Sequence, residues 1–195
     1  ENDVPFEYRT LEDPSAMAAL KTRWPFARFP VLVDDGNTIA ESTIIIEHLM
    51  LKHGGRVRWL PDAPLEALEV RFLDRFFDND VMTAMQKPVF EALRTDNTRK
   101  DEAMAEAARA LDLAYGWLEQ RLEGRTWAAG ETMSLADCAA APSLFYADWV
   151  HAIGPAFPTL RAYRSRLLAW PAFARAVDEA RPFRHYFPLG APDRD

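Results

Sequence analysis

Cysteine and histidine are scarce in this sequence: one Cys and four His in 195 residues. A single cysteine, Cys138, excludes an internal disulfide and fits a reducing compartment, so the cytoplasm is the expected location. It also lacks a CxxC partner, and its place just inside a helix start makes it a structural thiol rather than a nucleophile. His48, His53, His151 and His185 are scattered without metal-ligand spacing, so no metal site is expected. Also missing is any run near the roughly 20 apolar residues of a membrane-spanning helix, and no signal-peptide pattern opens the chain. Membrane partners are therefore not expected. A formal net charge of -7 argues against nucleic acid, because phosphate-backbone binding needs clustered Lys and Arg. There is no internal repeat and no low-complexity segment.

The remaining composition, 49% hydrophobic and 27% charged, is that of a globular chain with a core to bury. Residues 3–9 read as extended from the start, with Phe6 and Tyr8 on one face of a strand over 4–9. The chain begins at Glu1, not Met, which gives the expectation that it starts partway into a fold. Asp13 suits a helix N-cap and Pro14 its first position, with Met17 and Leu20 as the apolar side and Pro25 as the last possible end.

The stretch over residues 25–42 is the densest in special requirements. Pro30 precedes the apolar run Val31, Leu32, Val33, a position proline tolerates at a strand start. That run is apolar throughout, which predicts cover on both faces and more neighbouring strands than this segment supplies. Asp35 and Gly36 are a tight-turn signal before a short strand from Asn37 to Ile39. A helix then opens at Glu41 and Ser42 and runs to about His53, where Gly54 and Gly55 stop it. A helix N-terminus takes a carboxylate and Glu41 takes an ammonium, so this is a candidate site for an amino acid or peptide-like ligand. Glu41 and Ser42 as a plain helix cap is the competing reading.

Residues 55–64 have turn and linker character, which predicts a domain over 1–54 and a second over 65–195. The second is helical. Leu65, Leu68, Phe72, Phe76 and Val81 predict a long helix with these residues as its apolar face. A helix over 99–123 carries Met104, Ala108, Leu111, Tyr115, Leu118 and Leu122 on one stripe, with Gly124 after it. Ser134 and Asp137 have capping-box spacing at a third start, flanked by Met133 and Cys138 as a hydrophobic staple. Small residues then lead to Pro142, which allows close helix contact. A fourth helix near Thr159 turns Leu160, Tyr163 and Leu167 inward, and Pro171 interrupts it before a fifth over 172–180. The aromatic tail over 181–188 is too irregular to be helical throughout.

Two separated motifs carry a resemblance. WPFARFPVL over residues 24–32, followed by Asp35, Gly36 and Ile39 to Ser42, resembles the glutathione-binding half of glutathione transferases. WAAGETMSLAD over 127–137 looks like the core motif of that superfamily's helical domain. The resemblance implies α/β plus all-α architecture: a truncated thioredoxin-like N-terminal domain, then an all-helical C-terminal domain. It implies a cis peptide bond at Pro30, a glutathione cysteinyl group paired with the Phe29 backbone, and a γ-glutamyl group held by Glu41 and Ser42. Arg28 falls where the family often has a polar or basic side chain. Phe29 itself departs from the small aliphatic residue many members carry there. The family's first strand and helix, about 20 residues, have no counterpart here, so the catalytic Ser, Tyr or Cys is expected upstream of residue 1.

The function implied is conjugation of the glutathione thiolate to small hydrophobic electrophiles, with glutathione as co-substrate and a homodimer formed across the helices after Leu65. Phe77, Tyr146 and Trp149 are candidates for an electrophile pocket between the domains; plain core is the alternative for such aromatics, and the leading reading for Phe76. Asp137 reads as structural. The alternative function is a non-catalytic ligand-binding or interaction protein of the same fold. A third is a specialised reaction such as thiol–disulfide reduction, isomerisation or dehalogenation.

Overall fold

Local signals set most helix starts in the computed structural model, which describes residues 3–10, 12–96 and 98–195. The chain divides into two units, Glu1–Pro61 and Asp62–Asp195. In the first, helix α1 spans Pro14–Arg23, and the Asp13 carboxylate caps it by accepting from the Ser15 N–H at 2.8 Å. Leu20 and Ala16 are buried beneath it, while Met17 is only half-buried. Strands β1 (Val31–Asp34) and β2 (Asn37–Ala40) pair antiparallel, with Val31 opposite Ala40 and Asp34 opposite Asn37. The turn between them places Asp35 at φ 48° and Gly36 at φ 79°. Positive φ at both central residues is the hairpin geometry that matches strand twist, and only glycine adopts it without steric cost. Helix α2 spans Ser42–His53, packs on both strands and ends at Gly54 with φ 65°.

Two expectations fail in this unit. Residues 4–9 form no strand, and Phe6 and Tyr8 are each 79% exposed. Alternation suits a strand only where a neighbour takes its N–H and C=O groups, and the sheet consists of β1 and β2 alone among the described residues. Val33 is likewise exposed rather than covered on both faces.

The second unit is helical. Helices α3 (Pro64–Phe76) and α4 (Thr83–Ala92) are joined by a π-helical segment, Phe77–Met82. Then follow α5 (Lys100–Arg121), α6 (Leu135–Val150), α7 (Pro158–Ala169) and α8 (Pro171–Ala180), with a 3-10 turn over Arg181–Tyr186. Of the apolar face predicted for α3 and its continuation, only Val81, which falls in the π-helical segment, is fully buried. Leu65, Leu68 and Phe72 are exposed, and Phe76 is half-buried. The helix has two apolar stripes. The one with the smaller residues Ala67 and Val70, continued by Leu73 and Phe77, packs inward against α6.

On α5 the predicted stripe is buried at Leu111, Tyr115 and Leu118, continuing to Leu122 beyond it. Helix α6 runs through the core, with Ala140, Ala141 and Leu144 buried. Its start is fixed by Asp137, whose carboxylate accepts from the N–H groups of Ala128 and Ser134 and from the hydroxyls of Ser134 and Tyr163. Burial raises the Asp137 pKa, and those donors oppose the rise. Cys138 beside it is half-buried. Among the described residues no helix is long and apolar enough to cross a membrane.

Candidate functional site

The hairpin register builds the site in the first unit. Pairing Val31 with Ala40 puts the residues before β1 beside those that open α2. On one side run Arg28, Phe29 and Pro30, with the Phe29–Pro30 peptide bond cis. On the other stand Glu41 and Ser42. The Arg28 guanidinium lies 3.9 Å from the Glu41 carboxylate, and it also sits 5.4 Å from the centroid of the Phe26 ring. Both charged side chains of that pair are mostly exposed, so the attraction is worth at most about 1 kcal/mol. It leaves Glu41 open to exchange Arg28 for another cation.

Glu41, not Ser42, is the N-cap residue, and it sits at φ 69° with no side-chain capping bond. A non-glycine residue at such a φ is uncommon, and strain of this kind collects at ligand-binding positions. The Glu41 carboxylate makes no capping bond to its own helix and pairs instead with Arg28. Ser42 is the first residue of a helix twelve residues long, whose N-terminal N–H groups and dipole favour an anion. A carboxylate and an anion-binding helix end, adjacent in sequence, match the two ends of a zwitterion.

Comparison with known proteins agrees on both units. Family models match residues 1–57, as "Glutathione S-transferase, N-terminal domain", and 81–171, as "Glutathione S-transferase, C-terminal domain". The chain belongs to the glutathione transferase superfamily. Its thioredoxin-like first unit and helical second unit are that superfamily's arrangement. Among its relatives, glutathione transferase GST 23 of Zea mays is 28% identical over 187 residues, covering 90% of this chain and 79% of its own. FtsZ-localized protein A of Caulobacter vibrioides is 32% identical over 155 residues, covering 75% of this chain and 66% of its own. A solved glutathione S-transferase from Methylobacterium radiotolerans, in complex with glutathione sulfonate, is 25% identical with a TM-score of 0.67. That alignment covers 89% of this chain and 79% of that one.

The other candidate residues lie in the helical unit. Phe77 is fully buried in the π-helical segment, with its ring 5.9 Å from that of Phe76. That burial places the Phe77 side chain within the core of the helical unit. Tyr146 and Trp149 lie together, 5.4 Å between ring centroids, in a cluster with Phe145 and Phe187. The Trp149 indole N–H is buried without a hydrogen-bond partner, and the Arg184 guanidinium lies 5.3 Å from that ring.

Sequence spacing missed one group entirely. Asp34 at the end of β1 and His48 and His53 on α2 converge, with one potential metal-ligand atom from each within 4.8 Å of the others. The histidines are not scattered in space. The signals available were an aspartate at the hairpin turn and two histidines in the second half of the helix that packs on that hairpin.

Proposed function

We propose that this chain binds glutathione through residues 28–42 and conjugates its thiolate to small electrophiles. The carrying observation is the Val31–Ala40 pairing, which sets the Phe29–Pro30 segment beside Glu41 and the α2 N-terminus. Glu41 receives the γ-glutamyl ammonium, displacing Arg28, while Ser42 and the first turn of α2 receive the adjacent carboxylate. The Phe29 backbone pairs with the cysteinyl residue, and its exposed side chain leaves that backbone edge approachable. Bound in this way, the peptide presents its sulfur in a fixed place, and positioning alone supplies part of the rate. Once the thiol has given up its proton, the thiolate sulfur donates its electron pair to the electrophilic carbon; the pair of the bond that breaks leaves with a halide in substitution, or moves onto the enone oxygen or isothiocyanate nitrogen, followed by uptake of a proton, in addition. The glutathione sulfonate complex of the Methylobacterium relative supports this choice of ligand.

Retention on immobilised glutathione, with elution by free glutathione, tests the binding step. Retention is expected for the chain and is lost or strongly reduced in Glu41→Ala. No retention, or retention unaffected by Glu41→Ala, overturns the reading.

The exposed stripe Leu65, Leu68 and Phe72 on α3 supports a homodimer, since one apolar stripe of that helix is already buried and the other is not. Light scattering is expected to give twice the chain mass, and Phe72→Glu to give the monomer. A non-catalytic interaction role is the second reading, favoured by the similarity to FtsZ-localized protein A. Glutathione binding without turnover of any chloronitroaromatic, isothiocyanate or enone electrophile would select it.

A further inference from the structure

The glutathione reading uses the N-terminal ends of β1 and α2. The opposite ends of the same two elements hold a different cluster. A single oxygen, Asp34 Oδ2, is approached by His48 Nε2 at 2.7 Å, His53 Nε2 at 2.9 Å and Lys52 Nζ at 2.8 Å. The side chains of Asp34 (15% exposed) and His48 (25%) are partly buried, while His53 (32%) stands at the exposed edge of the cluster.

We infer that Asp34, His48 and His53 form a binding site for a divalent transition-metal cation of the zinc class. Two imidazole nitrogens and one carboxylate oxygen are a donor set that zinc accepts, with its fourth position open to water or another ligand. The spacing is close to what such an ion requires. Ligand atoms about 2.0 Å from a tetrahedral centre stand roughly 3.3 Å apart. The Asp34–His48 and Asp34–His53 separations therefore need to open by only about half an ångström.

Lys52 is the group that stands in the way, and the structure gives it an alternative. Its ammonium also lies 2.7 Å from Asp35 Oδ2. A cation can displace Lys52 from Asp34 without leaving the ammonium unpaired. Lys52 thus acts as a resident competitor for the site. The inference is independent of glutathione binding, because none of these side chains is among Arg28, Phe29, Pro30, Glu41 and Ser42, and Asp34 stands at the far end of β1 from them.

Titrating the full chain with zinc chloride in a non-coordinating buffer, followed by calorimetry, is the first test. Saturable binding of one zinc ion per chain is expected. His48→Asn and His53→Asn should each weaken it by about tenfold or more, since loss even of a group that merely supports a metal ligand costs that much. Lys52→Met should tighten it. Imidazole NMR of the unmutated protein locates the ion without relying on variants that fold. Zinc should shift the ring signals of His48 and His53 and leave those of His151 and His185 in place. Absence of saturable binding, shifts confined to His151 or His185, or an affinity unchanged from that of the unmutated chain in both histidine variants would each overturn the assignment. Glutathione retention measured in the same variants separates the two readings, since it should survive both histidine changes.

Discussion

In the helical unit, Leu73, Phe77, Leu111, Tyr115, Leu118 and Leu144 have no exposed surface, whereas in the first unit Val33 is 45% exposed and Leu51 78%. Helix α2 has no fully buried residue at all. The contrast follows from geometry. Helices α3, α4, α5 and α7 and the π-helical segment all pack against α6, so side chains there meet neighbours on every side. A two-stranded hairpin with helices has few faces to cover, and a hairpin alone is marginal in water. The first unit relies more on polar local structure: the Asp13 cap, the Asp35–Gly36 turn and the charges gathered on Asp34. The unit with the denser core carries the fold, and the more open unit leaves a weakly paired, exposed carboxylate at Glu41 beside the α2 N-terminus. Open structure and binding chemistry coincide because a fully satisfied surface has nothing left to bind with.

Four measurements would sharpen or break this contrast. The largest effect is expected at Asp137. Replacing it with alanine strands the buried N–H groups of Ala128 and Ser134 and the Tyr163 hydroxyl, at a cost of more than about 3 kcal/mol in urea unfolding. A loss below about 1 kcal/mol would show that the helical unit does not depend on this centre. Next comes the same kind of deletion in both units. Leu111→Ala, at a site without exposed surface, should cost about 3 kcal/mol, and Val33→Ala less than about 1 kcal/mol. Equal losses would erase the distinction.

Gly36→Ala comes third. No atom obstructs the added methyl, so the expected loss of about 1 kcal/mol is one of backbone conformation at φ 79°. The smallest effect concerns two aspartates at helix starts. Hydrogen bonds from Ser15 lower the Asp13 pKa, while burial raises that of Asp137. Asp13 therefore releases protons more readily folded than unfolded, and its stabilising share is present above about pH 4 and lost as pH falls through its folded value. Asp137 binds its proton more tightly folded than unfolded. Its share is greatest below about pH 4 and declines as pH rises through its folded value. Carboxyl-carbon NMR titration should put the two midpoints on opposite sides of about 3.9, and a reversed order would refute the assignment.

Much of this molecule is local chemistry, and local chemistry is written in sequence. Asp13 before Pro14, Asp35 before Gly36, Gly54 after α2 and the spacing of Ser134 to Asp137 each act within a few residues, and each element begins or turns where those residues require. The alignment of Phe29 and Pro30 with Glu41 and Ser42 was legible for the same reason, since a two-residue turn fixes the register of the strands it joins. The tertiary structure decided what depends on partners distant in sequence. It left residues 4–9 without a strand neighbour, and it chose Ala67, Val70 and Leu73 over Leu65, Leu68 and Phe72 because the smaller stripe fits closely on α6. It closed Phe77 into the core. And it drew His48 and His53, fourteen and nineteen positions beyond Asp34, onto one carboxylate oxygen. Sequence by itself determined where elements start, stop and turn; which of their faces meet is a matter of packing, and no single segment contains that information.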